Sequence, residues 1–194
     1  MPMQQKRIQH RPRYIAFVAA SIDGHISLSS KRPPHWTSKE DWEFFQKSLL
    51  RIDAVVVGRN TYESVSKRLR KRNTFVLSSR LKTLFRRGIV TFVNPKKAKL
   101  SKLLEGYKSV AVLGGGAVYQ FMLENKLLDE IFVTIEPFLF GRGREMFIGG
   151  KRTTRASLLS IRRLNQSGTL LLHYQINPVR SPIRKGKSAD TLGA

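Results

Sequence analysis

The chain of 194 residues contains no cysteine. That excludes a disulfide framework, a thiolate metal site and a thiol nucleophile. The four histidines are scattered, with no pair at metal-ligand spacing, so no metal is expected. Long apolar runs are also missing. "YIAFVAASI" and "AVVVG" fall well short of the roughly 18 to 20 residues of a membrane span, and "MPMQQKRIQHRPR" lacks a signal-peptide apolar region. A soluble, cytoplasmic protein without a membrane role is expected. Acidic residues are scarce: 13 Asp and Glu stand against 36 Lys and Arg, a formal net charge of +23. Such an excess points to anionic partners. Aromatic residues interleaved with basic ones as a stacking platform are not evident, so specific nucleic-acid recognition is not the expected role.

The length suits one domain with a buried core. Residues 1–13 and 178–194 are basic and poor in apolar residues, which predicts a flexible N-terminus and a disordered C-terminal tail around a domain at 14–177. Inside it, strand-like and helix-like segments alternate without repeats, the pattern of an α/β fold. Residues 14–20 form a buried strand, and "SIDGHISLSSKRPPH" a polar loop. In "WTSKEDWEFFQK", Thr37 or Ser38 can cap a helix, since Thr37-x-x-Glu40 and Ser38-x-x-Asp41 both fit a capping box, and Trp42, Phe45 and Leu49 recur at helical spacing. Strands are expected at "DAVVVG", "NTFVLSS", "IVTFV", "SVAVL", "EIFVTIEPF", "SLLSIRRL" and "TLLLHYQI". Helices are expected at "YESVSKRL", near residues 97–106, and at "AVYQFMLENK". The sheet is mostly parallel, closed by antiparallel C-terminal strands.

Three strand ends carry candidate chemistry. In "VVVGRNTYES" and "VAVLGGGAVYQ" a strand ends in glycine and a helix begins, so free backbone N–H groups and the positive end of the helix dipole aim at one spot. In "VLSSR", Ser78, Ser79 and Arg80 offer hydroxyls beside a guanidinium, a set that suits a phosphate monoester. Successive parallel strands would line these junctions along one carboxyl edge, where open α/β sheets bind ligands. The combination favours a nucleotide with several phosphates.

"GRNTYES", "VLSSR", "VLGGGAVYQFML" and "FVTIE" stand in the order and spacing of the dihydrofolate reductase superfamily, which the chain resembles over most of residues 14–140. The resemblance implies a three-layer fold with a mostly parallel, mixed eight-stranded sheet, and NADPH as cofactor. It implies that Arg59 and Thr61, with Asn60, hold cofactor phosphate. Ser79 and Arg80, beside Ser78, would hold the 2'-phosphate. Gly114, Gly115 and Gly116 would hold the pyrophosphate and nicotinamide side, with Ala20, Val118 and Tyr119 completing the pocket. Ala117 stands where many members have a further Arg. In dihydrofolate reductases a loop Trp precedes by five residues the acid that grips the pterin. That spacing selects Trp36 and Asp41, with Thr134 bonding the acid, and leaves Glu40 a helix-start acid. Val18, Phe45, Val65, Leu69 and Leu113 would form the substrate walls, and Arg72 would meet a glutamate-tail carboxylate.

"ASIDGHIS", "WTS" and "PFLFGRGREMF" resemble instead the reductase domain of the bifunctional riboflavin-pathway deaminase-reductase. Against that, Leu113 stands before the glycines where this sister group typically has Glu, and no deaminase zinc signature is present. The implied activity is NADPH-dependent reduction of dihydrofolate to tetrahydrofolate, by a monomer or homodimer. Two alternatives remain: a stand-alone reductase of 5-amino-6-(5-phosphoribosylamino)uracil, and a basic, non-enzymatic RNA-binding protein.

Overall fold

The computed structural model describes residues 11–28, 36–150 and 153–177. The expectations for residues 1–10 and for the tail from 178 lie outside them. Arg11 and Arg13, within the segment expected to be flexible, are pinned: Arg11 Nη1 lies 2.7 Å from Asp129 Oδ1, and Arg13 pairs with Glu130.

In chain order the elements are β1 (Arg13–Ser21), β2 (His25–Ser27), α1 (Lys39–Leu49), β3 (Ala54–Gly58), α2 (Arg59–Leu69), β4 (Asn73–Leu77), β5 (Phe85–Arg87), β6 (Val90–Val93), α3 (Leu100–Leu103), β7 (Ser109–Val112), α4 (Gly116–Glu124), β8 (Glu130–Glu136), β9 (Arg144–Glu145), β10 (Arg155–Arg163) and β11 (Leu170–Asn177). Nine strands form one sheet in the order β10-β11-β8-β1-β7-β3-β4-β6-β5, while β2 and β9 make a separate two-stranded ribbon. Pairing is parallel through the middle, from β8 to β6, and antiparallel where β11 meets β8 and β10 and where β5 meets β6.

The expected α/β class and mixed sheet are therefore present, with one strand more than the eight expected. The extra pairing comes from β5, a short stretch of exposed residues whose sequence carries no apolar alternation. Within "SIDGHISLSS" the chain forms β2 rather than loop alone, because β9 supplies its partner from far along the sequence. The helix expected over residues 97–106 shrinks to four residues.

Alternation along the central strands sends successive side chains to opposite faces. Tyr14, Val56, Phe75, Leu77, Val93 and Val112 pack with Leu100, Leu104, Tyr119 and Met122 of the α3–α4 side. Ile15, Phe17, Val55, Val57, Val76 and Ala111 pack with Leu49, Phe45, Val65 and Leu69 of the α1–α2 side. Each fully buried Val contributes roughly 1.5–3 kcal/mol, and in β3 Val55, Val56 and Val57 are all 0% exposed. The middle of the sheet is therefore a rigid platform. Its carboxyl edge carries the ends of β7, β3 and β4, three adjacent parallel strands, so the three junctions singled out in the sequence do lie side by side.

Candidate active site

A cleft of about 300 Å³ opens between α1, α2, the β7–α4 junction and the ends of β1 and β8. Its walls include Phe17, Val18, Phe44, Phe45, Leu49, Val65, Leu69, Leu113, Tyr119 and Phe132. Stacked and edge-on rings stiffen one side, with Phe17 5.4 Å from Phe132 and 5.9 Å from Phe45 between centroids. Among the described residues, Asp41 is the one carboxylate in the lining.

The way α1 begins explains how Asp41 comes to face the cleft. Ser38 is the N-cap and its Oγ accepts from the backbone N–H of Asp41 at 3.3 Å, so Asp41 occupies the third helical position. In a capping box that acid would reach back to the N-cap N–H. Here Glu136, at the end of β8, takes that N–H instead, with Oε1 2.6 Å from Ser38 N. The Asp41 carboxylate is released from capping. Burial pushes its pKa up from the ordinary value, and the charge of Glu136 adds to this, while hydrogen bonds from Thr134 and Thr37 hold it down. Glu40 points away, accepting from Asn165 Nδ2 at 3.1 Å at the surface.

Glu136 is 2% exposed, and its second oxygen accepts from Thr169 Oγ1 at 2.7 Å. Thr169 is in turn held by Asn165. Sequence reasoning missed this carboxylate; its signal was an acid two residues beyond Thr134, on the same face of a strand.

Of the residues expected around the substrate, Val18, Phe45, Val65, Leu69, Arg72 and Leu113 all line the cleft, as do Asp41 and Thr134. Arg72 Nη1 donates to Leu49 O at 2.7 Å, which fixes the guanidinium against α1. Trp36 lies outside the lining. Its ring sits edge-on to Phe140 at 4.9 Å and Phe138 at 6.3 Å, and its Nε1 is buried with no partner among the described residues. Residues the sequence did not single out also reach the cleft: Trp42, Ser64, Arg68 and Arg144. Arg68 lies over the Trp42 ring at 4.5 Å. Nothing in the order of the chain places Arg68 beside Trp42; only the packing of α2 against α1 does.

The expected cofactor residues divide in two. Asn60, Thr61, Gly115, Gly116 and Tyr119 line the cleft, whereas Ala20, Arg59, Ser78, Ser79, Arg80, Gly114, Ala117 and Val118 lie outside its lining. Gly58 and Gly115 are the N-caps of α2 and α4, and neither helix start has a side-chain cap bond. The two starts adjoin, for Gly58 N donates to Gly114 O at 2.7 Å. Arg59 pairs with Glu63 at 2.9 Å on the surface. Tyr119 OH donates to Phe17 O at 2.6 Å, and burial keeps this phenol neutral by raising its pKa. Gly114 has φ +80°, and a Cβ there would come within 2.6 Å of the Tyr119 ring, so only glycine fits.

Residues 12–170 match the family described as the RibD C-terminal domain. The chain belongs to that family. Among curated proteins it is similar to the uncharacterized protein YwjB of Bacillus subtilis (strain 168), 24% identical over an alignment 178 residues long that covers 82% of this chain and 95% of that one. Among solved structures, RibD of Acinetobacter baumannii superposes with a TM-score of 0.72 at 18% identity, covering 86% of this chain and 58% of that one. Dihydrofolate reductase of Enterococcus faecalis, solved with NADP(H), superposes with a TM-score of 0.61 at 19% identity, covering 88% of this chain and 99% of that one. The dihydrofolate reductase-like fold expected from the motifs is thus present. Membership in the RibD C-terminal domain family supports an NADPH-type reductase without separating the two acceptors weighed above. Among the described residues, no helix is long and apolar enough to cross a membrane.

Proposed function

We propose that the protein is an NADPH-dependent reductase whose acceptor is dihydrofolate, reduced to tetrahydrofolate. The observation that carries this reading is Asp41, among the described residues the one carboxylate lining an otherwise mostly apolar cleft. A carboxylate accepts two parallel hydrogen bonds from an amino group and the adjacent ring N–H, the edge a pterin presents. Its charge also favours the protonated ring, which accepts hydride more readily. Thr134 and Thr37 hold the carboxylate in place, and Val18, Phe45, Val65, Leu69 and Leu113 enclose the ring. Arg72, with one Nη committed to Leu49 O, keeps its other donors for a tail carboxylate.

The chain fits NADPH. Two adjoining helix starts without side-chain caps leave backbone N–H groups for pyrophosphate, formed by Arg59, Asn60 and Thr61 on one side and Gly114, Gly115, Gly116, Ala117 and Val118 on the other. Ser78, Ser79 and Arg80, at the end of the next strand, would take a 2'-phosphate, and Ala20 and Tyr119 would flank the nicotinamide. Bound there, the cofactor supplies the hydride. Tyr119, its hydroxyl committed to Phe17 O, acts as a wall rather than an acid. The proton for the acceptor comes from water, while Asp41 orients and polarises the ring.

A second reading is at least as well supported by the family: reduction of 5-amino-6-(5-phosphoribosylamino)uracil, with hydride delivered to the opened ribose carbon. Arg68, Arg72 and Arg144, all in the lining, would then hold the phosphate, and Asp41 would accept from the ring N–H and the exocyclic N–H beside it. The test is NADPH oxidation, followed by absorbance, with each acceptor in turn and with wild-type and Asp41→Asn proteins. Turnover of dihydrofolate is expected, falling about 10²- to 10⁴-fold in the variant with NADPH affinity unchanged. Reduction of the phosphoribosyl substrate with dihydrofolate inert would transfer the assignment to the second reading. Equal loss of turnover and NADPH affinity would remove Asp41 from the role.

A further inference from the structure

Between Ser64 and Leu104 the chain carries thirteen Lys and Arg and no Asp or Glu. This stretch builds the second half of α2, then β4, β5, β6 and α3, and the strands β4, β6 and β5 are the last three at one end of the sheet. The charge run of the sequence is therefore gathered at one end of the folded molecule. Lys71, Lys82, Arg86, Arg87, Lys96 and Lys97 are exposed. Among the described residues none of these six has a carboxylate within ion-pair distance, whereas Arg11, Arg13, Lys39, Lys47 and Arg59 elsewhere each do. Solubility alone is served by scattered charge. Cations gathered without counter-charges repel one another and await an anion.

The same end of the sheet carries a ring that the sequence did not reveal as a platform. Phe85, on the outermost strand, is 46% exposed, and its inner side is stacked on Phe92 at 4.6 Å with an interplanar angle of 7°. Phe92 is braced in turn by Tyr62, edge-on at 5.8 Å. Phe85 and Phe92 are direct cross-strand partners, and Arg86 and Arg87 follow at once along β5. β5 pairs only with β6, so its outer backbone edge is open within the sheet. A rigid aromatic ring with one side supported, on an edge strand with Arg87 two residues on along the same face and Arg86 between them facing the other side, matches a strand of nucleotides: phosphates to the cations, a base on the ring. Bases inside a duplex are already stacked and cannot reach it.

We propose that the β4–β6–β5 end of the sheet is a binding surface for single-stranded nucleic acid, with Phe85 as its stacking residue and Arg86 and Arg87 among its phosphate contacts. None of these three residues lines the cleft, so the surface is independent of the reductase reading.

The test is fluorescence anisotropy of a labelled uridine oligonucleotide of about 16 nucleotides with the full chain, over a range of salt concentrations. Affinity should fall linearly with salt on a log–log plot. Phe85→Ala should weaken binding roughly tenfold without altering the slope, whereas joint Arg86→Ala and Arg87→Ala should reduce the slope by about 1.4. Unchanged melting temperature and NADPH oxidation in these variants show that they are folded. The proposal is overturned if the variants bind like wild type, which places the attraction elsewhere on this basic chain. It is equally overturned if polyaspartate or anionic vesicles compete as well as the oligonucleotide while Phe85→Ala has no effect.

Discussion

Two neighbouring acids at the start of α1 have different surroundings, and the difference is set by a third acid from another element. Glu136 occupies the N–H that Asp41 would cap, so Asp41 is free to face the cleft, where burial above all, and the charge of Glu136 in addition, raise the cost of ionising it. A carboxyl whose folded pKa lies above its unfolded one binds its proton more tightly in the native state. The native state is thus favoured at acid pH, and that contribution is lost as pH rises from the ordinary carboxylate range through the raised value. At neutral pH an ionised Asp41 costs stability. Asp41→Asn should therefore melt higher than wild type at pH 7, and the gap should close toward pH values below the ordinary carboxylate range; a constant gap would mean that burial of the charge is not its source. Glu136 itself is predicted to be structural as well as electrostatic. Glu136→Ala leaves the Ser38 N–H and the Thr169 O–H without their acceptor, at a cost of roughly 1–3 kcal/mol for a buried donor left unsatisfied, measurable by denaturant unfolding. Glu136→Gln should keep most of that stability and shift the acid limb of the pH–rate profile downward.

Among the elements, the β7–α4 junction shows what could be read in advance and what could not. "GGG" between a strand and a helix marks the junction in the sequence, and Gly114 adopts φ +80°, a conformation that glycine takes readily. The sequence does not say what approaches Gly116. A Cβ there would lie 2.5 Å from Glu145 O and 2.9 Å from the Ile148 side chain, both beyond β8. Gly116→Ala should displace the β9 segment from α4, lowering the melting temperature and weakening NADPH binding together, as followed by calorimetry and fluorescence titration. The buried strands β1, β3, β4, β7 and β8 were legible because apolar runs of strand length admit few alternatives. β2, β5 and β9 were not, because strands of two or three residues carry no periodicity and form only where tertiary contacts hold them. The site divides along the same line: Asp41 and Thr134 follow from the resemblance to dihydrofolate reductases, while Arg68, Arg144 and Glu136 enter through packing that no local pattern records.

For the molecule as a whole, the +23 charge acts on stability and on ligand capture in opposite senses. Like charges crowded on one compact body repel, and the unpaired cations of the β4–β6–β5 end concentrate that repulsion, so part of the folding free energy is offset by it. The same field draws anionic NADPH toward the cleft, where Arg68, Arg72 and Arg144 stand. Raising ionic strength from about 0.01 M to about 0.15 M shortens the screening length from roughly 30 Å to roughly 8 Å. The melting temperature should rise over that range, because repulsion across the molecule is screened. The association rate of NADPH in stopped-flow fluorescence should fall over the same range, while its dissociation rate changes less, since contacts made at short range are screened less than long-range attraction. A melting temperature and an association rate that both fall would place the dominant electrostatics in local ion pairs. The paired set at Arg11, Arg13 and Arg59, rather than the unpaired end of the sheet, would then govern how this protein responds to salt.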